Sequence, residues 1–121
     1  FFYTAKGEAI PGDIPPLDGL VWWDADPLRE LQTREGVSKW QGPVLTDDIE
    51  GNVMAWADIL GDWREEIITY ASGELRIYTT VIPASDRRVC LMQDPLYRID
   101  VALKAMGYDQ VPMTSYYLGS D

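Results

Sequence analysis

The chain has 121 residues, 46% of them hydrophobic, which is enough for one compact core of ordinary size. Twenty Asp and Glu against ten Lys and Arg give a formal charge of −10, and no basic cluster exceeds Arg87-Arg88. That excludes nucleic acid as an expected partner, because such affinity comes mainly from neutralising phosphates.

No apolar run approaches the ~20 residues that span a bilayer, so no membrane segment is expected. His is absent, and Cys90 is the single cysteine, so neither a disulfide framework nor a thiolate zinc site can form. Any general base must then be a carboxylate, Tyr, Lys or Arg. The start Phe1-Phe2-Tyr3 lacks an initiator methionine and signal-peptide features, as expected at a processing point or inside a longer protein.

In chain order, Phe1 to Thr4 reads as a strand ending at the turn Lys6-Gly7-Glu8, followed by a Pro-rich surface loop from Pro11 to Gly19. Leu20-Val21-Trp22-Trp23 is a short strand stopped by Asp24-Ala25-Asp26-Pro27. Val37 to Gln41 and Met54 to Trp56 read as further strands, with a polar loop over 46–52 between them. Glu66 to Ala71 and Leu75 to Val81, joined by Ser72-Gly73-Glu74, form the clearest hairpin. Arg88 to Met92 reads as one more strand, in which Cys90 would be a small buried apolar residue.

The pattern then changes. Asp94 is placed to cap a helix, Pro95 to open it and Gly107 to end it, while Leu96, Ile99, Leu103 and Met106 recur at helical spacing. A helix over about 95–106 is predicted. The aromatic tail, Val111 to Leu118, is expected to be extended and to pack back on a sheet. Short strands with regular turn signals point to an all-β sandwich, barrel or propeller. Trp22-Trp23-Asp24-Ala25-Asp26 and Trp56-Ala57-Asp58-Ile59-Leu60-Gly61-Asp62 both run from an aromatic strand end into a carboxylate turn, and their Asp24 and Asp58 lie 34 residues apart, close to a propeller-blade period.

An Asp-rich acidic chain fits either a solvated surface or carboxylates that hold divalent cations. In Asp58-Ile59-Leu60-Gly61-Asp62-Trp63-Arg64-Glu65-Glu66, acids stand at relative positions 1, 5 and 9 around a glycine turn. Asp58, Asp62 and Glu66 would supply side-chain oxygens to calcium, with carbonyls of Leu60 and Arg64 completing the shell. The other reading is an acidic turn with Arg64 paired to Glu65 or Asp62. Asp24 and Asp26, with Glu30 following, form a shorter candidate, which reads equally as a capped helical turn opening at Pro27. The aromatic residues Trp22, Trp23, Trp40, Trp56, Trp63, Tyr97, Tyr108, Tyr116 and Tyr117 fill a core or stack on sugar rings. Tyr108 is singled out because it follows Gly107 and precedes the polar Asp109-Gln110, although a buried, satisfied tyrosine fits the same pattern.

Several ordered segments carry a resemblance. Leu20 to Leu31, Val37-Ser38-Lys39-Trp40, Ala57 to Glu66 with its Gly-Asp-Trp-Arg-Glu-Glu, Leu75-Arg76-Ile77-Tyr78-Thr79-Thr80, Leu91 to Arg98 and Tyr116-Tyr117-Leu118-Gly119 resemble, along nearly the whole chain, the C-terminal part of rhamnogalacturonan lyases of polysaccharide lyase family eleven. The resemblance implies the last blades of a much longer secreted β-propeller, with residues 1–121 as a single segment of it, several calcium ions and the remaining blades as partner. It implies cleavage of the rhamnose–galacturonate backbone of pectin by β-elimination, in which a base removes the C5 proton and cations stabilise charge on the uronate carboxylate.

Tyr108 matches the family's tyrosine near the substrate and is the candidate catalytic residue. Asn52 joins it as a candidate substrate-binding residue. One departure stands out: the family's best-known members carry a lysine in the loop before the Ala-Asp-Leu-Phe-Gly-Asp-Trp strand, whereas no Lys or Arg occurs here between Lys39 and Arg64. A non-catalytic, calcium-stabilised module that binds acidic polysaccharide or a protein is therefore the alternative.

Overall fold

The structure is a computed structural model and describes residues 2–13 and 15–119; Phe1, at the start of the predicted first strand, lies outside them. Among the described residues it is all-β with a single α-helix, in three antiparallel sheets.

The first sheet is a two-stranded hairpin of β1 (Phe2–Tyr3) and β2 (Ala9–Ile10). Its turn closes through Thr4 N–H donating to the Glu8 carbonyl at 2.8 Å, and Gly7 takes a φ of 84° that a side chain would resist. The Phe2 ring stands edge-on to Trp40 at 4.7 Å.

The second sheet is a four-stranded meander of β3 (Gly19–Val21), β4 (Glu30–Thr33), β5 (Gly36–Ser38) and β6 (Val44–Thr46). Sequence patterning missed β4 and β6. Glu30 and Gln32 are buried strand residues whose side chains are spent on hydrogen bonds. The helical turn expected after Pro27 does not form, since Glu30 already pairs with Val21.

The third sheet consists of β7 (Asn52–Ala57), β8 (Glu66–Ala71) and β9 (Glu74–Tyr78). The predicted hairpin is present, with Ala71 opposite Glu74 and Gly73 at a φ of 78°. It ends at Tyr78 rather than Val81, because the Thr79 hydroxyl turns to Glu66 Oε1 at 3.1 Å. β3 and β7 are the first strands of successive sheets, so the Asp24 and Asp58 turns occupy equivalent places.

Val21, Trp23, Val37, Ile49, Trp56 and Ile67, from the two larger sheets and the loops beside them, share one core cluster. The close approach leaves no room at Gly19, where a Cβ would sit 2.2 Å from the Trp56 ring. A second cluster of Trp22, Trp63, Leu91, Tyr97 and Leu118 lies under α1 (Pro95–Ala105).

The helix starts as its sequence dictates. The Asp94 side chain accepts from Leu96 N–H at 3.0 Å, an N-cap worth ~1 kcal/mol, and Pro95 opens the first turn. Its buried face is not the expected one, however. Tyr97 is fully buried and Val101 packs beside it, whereas Leu96, Ile99 and Met106 are exposed. The predicted strand over 88–92 is also absent: Leu91–Gln93 is a 3₁₀ turn, and Cys90 is half-buried beside it. The tail does pack back, but onto the helix start and the Arg88 segment instead of a sheet, through Ser115 N–H to Asp94 at 2.6 Å and Arg88 Nη1 to the Leu118 carbonyl at 2.7 Å.

Candidate functional site

The turn after β3 gathers acids. Glu30, fixed on β4, points back so that its Oε2 accepts from Trp23 N–H at 2.8 Å. Asp24 accepts from Asp26 N–H at 2.9 Å, and Asp26 from Leu28 N–H at 2.8 Å, which curls the turn over Glu30. Carboxylate oxygens of Asp24, Asp26 and Glu30 thereby lie within 4.8 Å of one another and could hold a metal ion. The Lys39 ammonium reaches into this group, 2.6 Å from Asp24 and 3.5 Å from Glu30, and pairs with Asp26 as well. Burial pushes the Glu30 carboxyl up, while the hydrogen bonds that Lys39 donates to Asp24 and Asp26 push the Lys39 ammonium well up. An ion and the ammonium therefore compete for the same oxygens.

The loop between β7 and β8 was the stronger expectation for calcium. Its acids are turned elsewhere. The buried Asp58 carboxylate accepts from the backbone N–H groups of Gly61 at 2.8 Å, Asp62 at 3.0 Å, Trp63 at 3.1 Å and Leu91 at 2.7 Å. Glu66 Oε2 accepts from Ile59 and Leu60 N–H, and Asp62 pairs with Arg64 as in the acidic-turn reading. These bonds tie the loop to its own backbone and let Trp63 hold a φ of 71°. Among the described residues, Asp58, Asp62 and Glu66 do not bring their oxygens together.

Asn52 lies at the start of β7, on an open cleft of about 600 Å³ that is also lined by Asp18, Arg34, Glu50, Lys104 and Asp109. Tyr108 directly precedes Asp109 at the end of the helix. It is 63% exposed, and its hydroxyl has no hydrogen-bond partner among the described residues, unlike a core tyrosine. The structure thus brings Asn52 and the neighbourhood of Tyr108 together, and separates both from the Asp24 turn. The cleft's cations, Arg34 and Lys104, were missed because each sits alone in the sequence.

The family model described as "Rhamnogalacturonan lyase family 11, C-terminal domain" matches residues 1–121. The chain belongs to this family. Among curated relatives, the rhamnogalacturonan endolyase YesW of Bacillus subtilis is 38% identical over 97% of the chain, and the rhamnogalacturonan exolyase YesX of the same organism 35% identical over 98%. Among solved structures, YesW superposes with a TM-score of 0.81 at 38% identity, and the Bacillus licheniformis rhamnogalacturonan lyase with 0.82 at 39%, each over 97% of the chain. This family 11 domain spans 22–23% of the curated relatives' length and 23% of those two solved chains.

The family's Trp-Arg-Glu-Glu stretch also explains a buried network that sequence reasoning did not assign. Glu65 accepts from Trp22 N–H at 2.9 Å and from the Tyr97 hydroxyl at 2.8 Å, and pairs with Arg29 at 3.3 Å. Arg29 in turn lies 3.7 Å over the Trp22 ring. The network fixes the helix bearing Lys104, and the Tyr108 loop after it, against both large sheets.

Proposed function

We propose that the protein carrying this domain is a secreted or cell-surface rhamnogalacturonan lyase, acting on the rhamnose–galacturonate backbone of pectin by β-elimination. The observation that carries this reading is the family match over residues 1–121, with 38% identity to an endolyase across 97% of the chain. Two successive antiparallel sheets, each opening on a strand that ends in a carboxylate turn, support the further reading that residues 1–121 are the last blades of a β-propeller.

In this reading the cleft beside Asn52 is one edge of the substrate site. Tyr108, with an exposed and unpartnered phenol, is the group that moves a proton at C5 or at the leaving oxygen. Calcium belongs to the Asp24, Asp26 and Glu30 cluster, whose hard oxygen donors suit it, with Lys39 giving way when the ion enters. There it would tie β3 to β4 and neutralise part of a chain of charge −10. The Asp58 loop serves as a self-bonded turn in the same fold.

The test uses the chemistry of the product. β-Elimination creates a C4–C5 double bond conjugated to the uronate carboxylate, which absorbs in the ultraviolet, whereas hydrolysis or binding alone creates none. Rhamnogalacturonan incubated with the full protein should gain this absorbance. Binding without any absorbing product on pectic polymers would leave the non-catalytic polysaccharide-binding module in its place.

A further inference from the structure

The cleft beside Asn52 has a charge arrangement that the sequence did not announce. Its wall from residues 49 to 53 contains no cation, yet two cations reach the cleft from distant parts of the chain. Arg34 stands on the turn between β4 and β5, is exposed, and has no ion-pair partner among the described residues. Lys104 comes from the last turn of α1. Its side chain is only 13% exposed, and its ammonium is held 4.8 Å from the centre of the Trp56 ring.

The partner of Lys104 is Asp109, whose own side chain is 81% exposed. A carboxylate so solvated loses little by swinging into water, so an incoming carboxylate can replace it on an ammonium that the Trp56 ring keeps in position. Of the other acids on the cleft, Glu50 is already engaged by Arg76, while Asp18 is half-buried with no ion-pair partner among the described residues. Asp18 lies on the same wall as Arg34, so it weakens the pull of that cation, and the attraction for an acidic ligand comes from Arg34 and Lys104 together.

We propose that Arg34 and Lys104 form the carboxylate-binding edge of this cleft and take the uronate carboxylate of an acidic polysaccharide, with the Asn52 amide beside them for a neutral hydroxyl. The inference rests on the lyase reading above and assigns its substrate charge recognition to two residues on separate elements. On a domain of charge −10, such a local cationic edge favours the entry of a polyanion.

The experiment uses the full protein and two probes: a rhamnogalacturonan oligosaccharide, and the same oligosaccharide with its uronate carboxyls reduced to neutral galactose. Arg34→Gln and Lys104→Gln should each weaken binding of the charged probe and raise KM on the order of 10-fold, the range of a lost charged hydrogen bond. Neither should change binding of the reduced probe. Arg34→Lys should recover most of the loss, and Asp18→Asn should tighten the charged probe. Arg34 is exposed on a turn, so its variant keeps the fold even if the Lys104 variant lowers the thermal midpoint. If the wild type makes ultraviolet-absorbing product and both variants keep its KM and affinity, this inference falls and the lyase reading stands. If the wild type neither binds the charged probe nor makes product, both fall.

Discussion

The Tyr97 hydroxyl donates to Glu65 Oε1 at 2.8 Å and accepts from the Asp58 N–H at 3.1 Å, so one phenol on the helix joins the buried Glu65 carboxylate to the backbone of the buried Asp58 in the loop that precedes β8. All three residues are fully buried, with the ring packed against Trp63 and Leu91 in the second core cluster. Tyr97→Phe keeps the ring but leaves an acceptor and a donor unpaired in a dry site. It should cost ~1–3 kcal/mol of stability, seen as a lower midpoint in chemical denaturation. A midpoint equal to the wild type would show that water replaces the hydroxyl.

Burial pushes the Glu65 carboxyl above the ordinary carboxylic range, against the opposing pull of Arg29, the Trp22 N–H and Tyr97, and with added repulsion from Asp58. A carboxyl that holds its proton more tightly folded than unfolded makes stability fall as pH rises from about the unfolded value, 4.5, through the folded one, and stay flat above it. Glu30 and Glu66, also raised by burial, add to this slope. Asp94, lowered first by the Ser115 hydrogen bond, works in the other direction: its contribution is lost as pH falls below 3.8. Denaturation midpoints stepped through mildly acid pH should therefore peak there. Glu65→Gln should flatten the fall toward neutrality, and an unchanged slope would assign it to the other two glutamates.

Asp58 accepts four backbone N–H groups, and a charged acceptor contributes ~1.5–3 kcal/mol per bond, with incomplete additivity. Asp58→Ala should lower the thermal midpoint by about the same amount with calcium and with chelator. A loss that appears only in the presence of calcium would instead make this loop the metal site.

Calcium should raise the thermal midpoint of the protein and magnesium should do so much less, because an irregular set of carboxylates suits the larger, less demanding ion. Removing the competing ammonium sharpens the test. Lys39→Met leaves Asp24, Asp26 and Glu30 facing one another without a counter-charge, so the variant should be less stable in chelator and gain more from calcium than the wild type. Equal calcium shifts in the two proteins would mean that the ion binds elsewhere.

Tyr108→Phe removes an exposed hydroxyl with no partner among the described residues, so the fold should be unaffected. In the full protein the rate of ultraviolet-absorbing product should drop on the order of 10²- to 10⁴-fold if the phenol moves a proton. An unimpaired variant would place the base outside residues 1–121.

Sequence alone determined the features that depend on neighbours a few residues apart. The hairpin of β8 and β9 follows from its apolar strands and Gly73, and the helix from Asp94, Pro95 and Gly107, because dihedral preference and capping are local properties. The ordered motifs also carried the family. What only the tertiary structure decided is where each charged or aromatic side chain finds its partner. The helix buries Tyr97 instead of the expected Leu96 and Ile99 because Glu65 and Asp58 offer that hydroxyl two bonds in a dry site. Likewise, the Asp58 loop faces its own backbone, Lys39 enters the Asp24 cluster, and Arg34 and Lys104 meet at the cleft of Asn52. Desolvation makes an unpaired charge costly, so buried and half-buried charges are matched by chain segments that return from far away, and local spacing carries no record of that return.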